Sequence, residues 1–258
     1  MSGEEMSRRK AIGALAGTPL MAAAADEVRP QYYELRKFEL RNGTQPQRTN
    51  DFFSRHFMLA AKRAGLGPVG AFSPVIGEGS PYVLLLIPHA SFADAEHTWD
   101  KLMADPELAP ALDEWHKPMD PGYVRADSTL LRAMAGQPQL KLPEGKDAHV
   151  FELRTYESNS EVTLRRKVEM FNAGEIHVFQ KLGMQPVFFA EAVFGSRMPH
   201  LTYMLAYKDL AARDALWNAF GSDPEWAKLR AHPGWADAEI VSNINNAILR
   251  GTRYSEIR

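Results

Sequence analysis

The sequence predicts an α+β protein made of two tandem βαββαβ repeats, and two observations lead to this expectation. Residues recur at a constant spacing of 118 positions, as Glu34-Leu35-Arg36 and Glu152-Leu153-Arg154 show (152 − 34 = 118). Strand-like and helix-like patterns also follow one another in the same order in each copy. The spacing is the length of a domain and is too long for a solenoid repeat, so the chain is predicted to contain one domain twice.

The first copy, residues 31–132, begins with a strand from Tyr32 to Leu40, where the alternation of side chains and the aromatic content favour β-structure. Pro46 begins a helix that ends at Gly65, since proline is tolerated in a first turn and glycine favours a helix end. Ser91 is expected to cap a second helix and Asp105 a short third one. The remaining predicted strands are Val69–Ile76, Tyr82–Ile87 and Tyr123–Leu131.

The second copy, residues 150–258, repeats this order after a Pro- and Gly-containing linker at residues 133–149. Its predicted strands are Val150–Tyr156, Val187–Phe194, Leu201–Tyr207 and Ile240–Leu249, and its predicted helices are Leu164–Leu182, Leu210–Phe220 and Pro224–Ala231. Each copy thus has the ferredoxin-like order, in which one face of the sheet carries no helices. Two copies can cover these faces in a shared barrel-like core, either within one chain or between two chains.

Composition excludes several classes of function. The net charge of −2 argues against a nucleic-acid partner, and no apolar run reaches the roughly 18 residues of a transmembrane segment. The chain has no cysteine, which removes disulfides, thiolate nucleophiles and cysteine metal sites. The histidines lack metal-ligand spacing, so no metal is predicted. No cofactor is predicted either, although a haem held by a single histidine stays open.

Residues 1–25 are predicted to be a separate export signal. Arg8 and Arg9 precede a weakly apolar stretch that closes with small residues before Asp26. Paired arginines are typical of the twin-arginine route, although Ala11 stands where a bulky apolar residue is usual. The expected location is therefore the periplasm. The alternative is a disordered basic tail on a cytoplasmic protein.

Two motifs resemble the NIPSNAP family, which belongs to the dimeric α/β-barrel superfamily. One is Tyr-Glu-Leu-Arg near the start of the first copy, with Glu-Leu-Arg in the second, and the other is Trp-x-x-Phe-x-x-Asp-Pro-Glu-Trp, which spans Trp217 to Trp226. The first copy keeps Trp99 and Asp105-Pro106-Glu107 but has Leu108 where Trp226 stands. The resemblance covers both halves, from about Gln31 to Ile257, and describes a tandem form of the family.

The resemblance implies a fold more strongly than an activity. The function it favours is a small-molecule or protein binding module, expected to form a homo-oligomer. The alternative is a cofactor-poor or haem-dependent enzyme of the monooxygenase or isomerase type, because such relatives on this fold have their sites in the cavity between sheet and helices. A roomy cavity with polar groups would favour the enzyme, and a filled core would favour the module.

Five residues are candidates for a ligand pocket. Arg36 and Arg154 occupy equivalent strand positions and could bind an anion, or could simply pair with Glu34 and Glu152. Glu175 replaces Phe57 on a helix face that should be buried, where a carboxyl group would have a raised pKa. The other two candidates, His56 and His177, flank the same stripe. A polar pocket in the second copy is one hypothesis, and a solvent-facing Glu175 is the other.

Overall fold

Eight antiparallel strands close into one barrel, to which each repeat contributes four. The computed structural model describes residues 28–145 and 149–258, so the predicted export signal lies outside the described residues. The strands are β1 (Tyr32–Glu39), β2 (Gly70–Ile76), β3 (Tyr82–His89), β4 (Arg125–Ala133), β5 (Val150–Glu157), β6 (Gln185–Phe194), β7 (His200–Tyr207) and β8 (Asn243–Gly251). Around the barrel they follow the order β1-β3-β2-β8-β5-β7-β6-β4, and β4 returns to β1.

The two repeats meet within one chain. Strand β2 of the first repeat pairs with β8 of the second, and β4 pairs with β6, both antiparallel. These two joints turn a pair of four-stranded sheets into a closed barrel without a second chain. The α+β fold with tandem ferredoxin-like repeats in a dimeric α/β-barrel arrangement is thereby confirmed.

The helices lie outside the barrel. They are α1 (Gln45–Phe52), α2 (Met58–Arg63), α3 (Phe92–Met103), α4 (Ala109–Trp115), α5 (Glu161–Met170), α6 (Ile176–Lys181), α7 (Leu210–Ser222), α8 (Pro224–Arg230) and α9 (Asp237–Ile240). A π-helical turn joins α1 to α2 at Phe53–Phe57, and another joins α5 to α6 at Phe171–Glu175. The two turns are 118 positions apart (171 − 53), so this local irregularity is part of the repeat. π-helical turns of this kind are often found at functional sites.

Two local predictions differ from the structure. Asp105 caps a turn, because its carboxylate accepts hydrogen bonds from the backbone N–H groups of Glu107 and Leu108, and α4 begins only at Ala109. In the second repeat Asp223, the counterpart of Asp105, caps α8. Ile240, predicted to begin the last strand, instead ends the short helix α9.

Side chains alternate between the two faces of the sheet, and together with the helices they form three apolar cores. Leu35 and Phe151 point into the barrel, where side chains from both repeats form a shared core. Side chains that point to the opposite face of the sheet, such as Phe38 and Tyr156, pack under the helices of their own repeat. Among the described residues, no helix combines the length and the hydrophobicity that a membrane crossing requires.

Candidate functional site

The repeated arginines lie between the sheet and the helices, one in each repeat. Leu35 faces the barrel interior, so Glu34 and Arg36 on either side of it face the helix layer. Arg154 has the same position in the second repeat, beneath Trp217 of α7. Because the barrel separates the two helix layers, Arg36 and Arg154 belong to two different sites.

The first repeat contains a cavity of about 430 Å³ between β1 and the helices. Its volume falls in the range of small-molecule pockets, which is about 300–1,000 Å³. Aromatic and aliphatic side chains form most of the wall, and Arg36, Asp113, His116 and Tyr123 are its ionisable groups. The lining residues are Arg36, Phe38, Phe52, Phe53, Phe57, Trp99, Leu102, Met103, Leu108, Ala109, Leu112, Asp113, Trp115, His116 and Tyr123.

At two positions the first repeat has a smaller side chain than the second, and this difference distinguishes the cavity from the equivalent space in the second repeat. Leu102 and Leu108 line the cavity, and at an offset of 118 their counterparts are Phe220 and Trp226. These two larger rings contact each other, with centroids 4.6 Å apart, and belong to the core under the second helix layer. The second repeat therefore fills with side chains the space that the first repeat leaves open.

Arg36 is held at the cavity wall by an aromatic ring. Its guanidinium lies 3.9 Å from the ring centroid of Trp99, and its Nη1 donates to Glu34 at 3.3 Å. Glu34 also accepts stronger hydrogen bonds, from Trp99 Nε1 at 3.0 Å and Ser128 Oγ at 2.6 Å. Trp99 is thus only partly buried and also orients a polar pair.

His116 brings a second polar group to the cavity. Its Nδ1 lies 2.9 Å from the carbonyl oxygen of Leu112. A carbonyl only accepts, so Nδ1 carries the proton of the neutral ring and the lone pair of Nε2 is available. His116 and Asp113 are both exposed, which places them at the solvent side of the cavity.

The second repeat contains a buried charge cluster beside the filled space that corresponds to this cavity. Lys167 is 0% exposed, and its Nζ donates to Glu175 at 3.1 Å and to Asp237 at 2.9 Å. Glu175 is 1% exposed, so it does not reach solvent. Aromatic rings of Tyr156, Phe171 and Trp226 lie 5.2 to 5.6 Å from the ammonium group.

Burial and the neighbouring charges have opposite effects on the pKa values of the groups in this cluster. Burial raises the pKa of Glu175, and the ammonium group of Lys167 only partly offsets that effect. Burial acts to lower the pKa of Lys167, but the carboxylates of Glu175 and Asp237 outweigh it and the pKa is raised. A group with such a shifted pKa can serve in catalysis, but these atoms are enclosed by side chains.

A second polar network surrounds Arg154. Glu152 accepts from Arg154 Nη1 at 2.8 Å, from Trp217 Nε1 at 2.8 Å and from Arg213 through two nitrogens at 2.6 and 3.0 Å. Arg154 Nη2 also donates to Tyr156 at 3.1 Å. Burial acts to raise the pKa of Glu152, but the hydrogen bonds from Arg213 and the charge of Arg154 outweigh it and lower the pKa.

The structure does not bring the five predicted residues together. Arg36 lines the first-repeat cavity, while Arg154 and Glu175 lie in the second repeat. The side chain of His177 is 68% exposed and lies 3.8 Å from Glu225, and His56 is also exposed. Sequence reasoning missed Lys167, although its spacing of four residues from Phe171 and eight from Glu175 places it on the same helix face.

The residues present offer little to a metal or a haem. Within residues 28–145 and 149–258, no group of three or more His, Asp or Glu side chains could hold a metal ion. A haem in the first-repeat cavity would have to use exposed His116, the one histidine in its wall, and would find one cation, Arg36, for two propionates. The apolar walls and single cation fit a smaller molecule better.

No curated protein matches the sequence significantly. The solved structures that resemble the chain include candidate monooxygenases from Lactobacillus acidophilus NCFM and from Fusobacterium nucleatum, with TM-scores of 0.56 and 0.54 at 8% and 9% identity. Both alignments cover 86% of this chain and 93% of the other. An anthrone oxidase-like protein follows, with a TM-score of 0.51 at 11% identity over 86% of this chain and 92% of the other.

These similarities concern the fold alone, since the identities are low. The family is shown by the sequence itself, because the NIPSNAP domain matches residues 33–134 and again residues 151–256. The two matches correspond to the two halves of the barrel. The chain therefore belongs to the NIPSNAP family and carries two copies of its domain.

Proposed function

We propose that this protein binds a small, largely aromatic molecule in the cavity of its first repeat. The observation that carries the proposal is the contrast between the repeats. The cavity of about 430 Å³ is open where Leu102 and Leu108 stand, and the same space is filled by Phe220 and Trp226 in the second repeat. The second repeat then acts as the structural half that closes the barrel.

The chemistry of the wall favours an aromatic ligand over an aliphatic one. Phe52 and Trp115 are stacked at 4.2 Å with nearly parallel planes, and Phe53 and Tyr123 add rings around the same space. Aromatic pairs are favourable at such distances beyond the burial of their area, so a planar guest gains from this lining. Ionisable groups are few, which suits burial of an apolar body with a single polar attachment.

A filling substitution tests the proposal directly. Leu108→Trp places in the first repeat the residue that the second repeat has at the equivalent position. We expect the wild-type protein to bind 2-naphthamide, observed through quenching of Trp99 and Trp115 fluorescence and by calorimetry. Leu108→Trp should lose this binding while it keeps its thermal midpoint, because the new ring occupies the cavity.

Leu59→Trp is the matched control, since Leu59 is exposed and outside the cavity. It adds a tryptophan without filling the site and should bind the probe as the wild type does. Equal binding by wild type and Leu108→Trp would contradict the assignment of the site.

A second candidate function is oxidation of the bound molecule by O₂. The observation that favours it is the free Nε2 lone pair of His116 in the cavity wall, which can act as a base, together with the fold similarity to an anthrone oxidase-like protein. In such a reaction one oxygen atom of O₂ enters the anthrone, which becomes an anthraquinone, and the other leaves as water.

Oxygen uptake distinguishes the two functions. With anthrone as the probe, an enzyme should consume one O₂ per anthraquinone formed, and His116→Gln should slow turnover while leaving binding intact. If the protein only binds anthrone, the rate with wild type and with His116→Gln should equal the uncatalysed rate. The uncatalysed rate in the presence of wild type would remove the enzymatic candidate, and an equal, accelerated rate in both proteins would remove the role of His116.

Export and self-association are further proposals that rest on the sequence. Arg8 and Arg9 support transport by the twin-arginine route to the periplasm. Fractionation of cells that express the full chain, beside an Arg8→Lys, Arg9→Lys variant, should show loss of the periplasmic form in the variant. Native mass of the wild-type protein tests the proposed homo-oligomer.

A further inference from the structure

Arg36 has hydrogen-bond donors that the protein does not use. Its Nε is buried and has no hydrogen-bond partner in the described part of the chain. The guanidinium makes one hydrogen bond to those residues, from Nη1 to Glu34 at a long 3.3 Å. A buried donor without a partner costs free energy, so a ligand that accepts from it gains more than the same contact would give in water.

The carboxylate of Glu34 has hydrogen-bond donors other than Arg36. It accepts from Ser128 at 2.6 Å and from Trp99 at 3.0 Å, and it is not part of the cavity wall. Stacking on Trp99 meanwhile fixes the plane of the guanidinium at 3.9 Å from the ring. Arg36 is thus held in position by the protein, and its Nε and Nη2 donors make no hydrogen bond to the described residues and can bind a guest.

In the second repeat, both terminal nitrogens of the equivalent arginine donate hydrogen bonds. Arg154 Nη1 is bound to Glu152 at 2.8 Å and Nη2 to the hydroxyl of Tyr156 at 3.1 Å, although its Nε is also without a partner. The counterpart of Tyr156 in the first repeat is Phe38, which offers Arg36 no hydroxyl. The loss of that hydroxyl leaves Nη2 of Arg36 without the bond that its counterpart makes.

We propose that the ligand of the first-repeat cavity is an aromatic carboxylate, with its carboxylate bound by Arg36 and its ring among the aromatic walls. This inference rests on the proposed binding function and adds the chemical class. The fork of a guanidinium matches a planar carboxylate, and such charge-assisted bonds are about twice as strong as neutral ones. Asp113, the other charged group in the wall, is exposed and repels an anion from the solvent side, so the carboxylate faces Arg36.

A pair of probes of the same shape tests the charge alone. We expect 2-naphthoate to bind the wild-type protein about 10- to 100-fold more tightly than 2-naphthamide, the range expected for hydrogen bonds to a charged group. Arg36→Met should abolish this preference and retain 2-naphthamide binding. Phe38→Tyr, which restores the hydroxyl of the second repeat, should reduce the preference by engaging Arg36.

Arg132→Met is the control for net charge, because Arg132 is exposed, pairs with Glu191 and lies outside the cavity. It should keep the full preference. Equal affinity of the two probes for the wild type would overturn the carboxylate inference and leave the binding site standing. A preference that survives in Arg36→Met would also overturn it. Failure of both probes to bind would instead overturn the proposed function.

Discussion

At the scale of single residues, three differences between the repeats replace uncharged side chains with a buried polar and charged cluster. In the first repeat these positions hold a small hydroxyl and two phenyl rings, and in the second they hold an ammonium group, a carboxyl group and a phenol. The pairs, each 118 positions apart, are Thr49 and Lys167, Phe57 and Glu175, and Phe38 and Tyr156. Glu175 requires Lys167, because without that ammonium group its carboxylate would be buried without a partner, whereas Lys167 also pairs with Asp237.

Lys167→Met should therefore destabilise the protein by about 3–5 kcal/mol at neutral pH, the usual cost of breaking a buried ion pair. The double variant Lys167→Met, Glu175→Leu removes both charges and should recover most of that loss. Urea unfolding of the three proteins measures the difference. A double variant as unstable as Lys167→Met would show that packing, and not charge pairing, sets the cost.

The stability of the single variant Lys167→Met should depend on pH in a characteristic way. Burial raises the pKa of Glu175, and in Lys167→Met the main opposing charge is gone. The folded state then holds a proton that the unfolded state releases, so stability is greatest in acid and falls as pH rises from the ordinary carboxyl range through the raised pKa. Lys167→Met should be closer to wild type at pH 5 than at pH 8. A pH-independent difference would contradict this explanation.

At the scale of elements, the helix layer is positioned by its caps and its π-helical turns. Ser160 accepts from the backbone N–H of Thr163 and the Thr163 hydroxyl accepts from the Ser160 N–H, which forms a capping box at the start of α5. This helix carries Lys167 and continues through the π-helical turn to Glu175. The cap therefore fixes the register of the segment that holds both members of the buried pair.

Ser160→Ala should cost about 1 kcal/mol of stability, because the first turn of α5 loses its side-chain acceptor. Ser160→Asp keeps an acceptor near the positive end of the helix and should stay close to wild type. Thermal and urea unfolding of both variants provide the measurement. Equal losses in the two would indicate that the hydroxyl contributes through packing and not through capping.

At the scale of the whole molecule, the sequence predicted the positions of the strands better than it predicted which strands pair. The alternation along β1 and β5 is local and predicts which side of Leu35 or Leu153 faces the helices. The pairing of β2 with β8 and of β4 with β6 joins residues far apart in sequence. Two chains could exchange those strands with the same local pattern, so the sequence left the intrachain closure open.

The candidate site was predictable only in part for a related reason. The replacement of Phe57 by Glu175 on an apolar stripe led to two hypotheses, a buried polar pocket and a solvent-facing carboxyl group, and the structure buries Glu175. The cavity depends on the sizes of Leu102 and Leu108 relative to Phe220 and Trp226, and on their convergence in space. Exposed His56 and His177 lie one residue from buried positions of the same helices, where a turn of about 100° per residue separates core from solvent.

The intrachain barrel makes a prediction about a nicked chain. A protease site inserted after Gly145 should allow cleavage between the repeats without their separation, since the two strand joints and the shared barrel core hold them together. Separation would expose the apolar interior that Leu35 and Phe151 share with residues of both repeats, a large free-energy cost. Native mass spectrometry should report the two fragments bound as one particle, and denaturant should release them. The uncleaved insertion variant is the control, and fragments that part under native conditions would show that the linker, rather than the barrel, holds the repeats together.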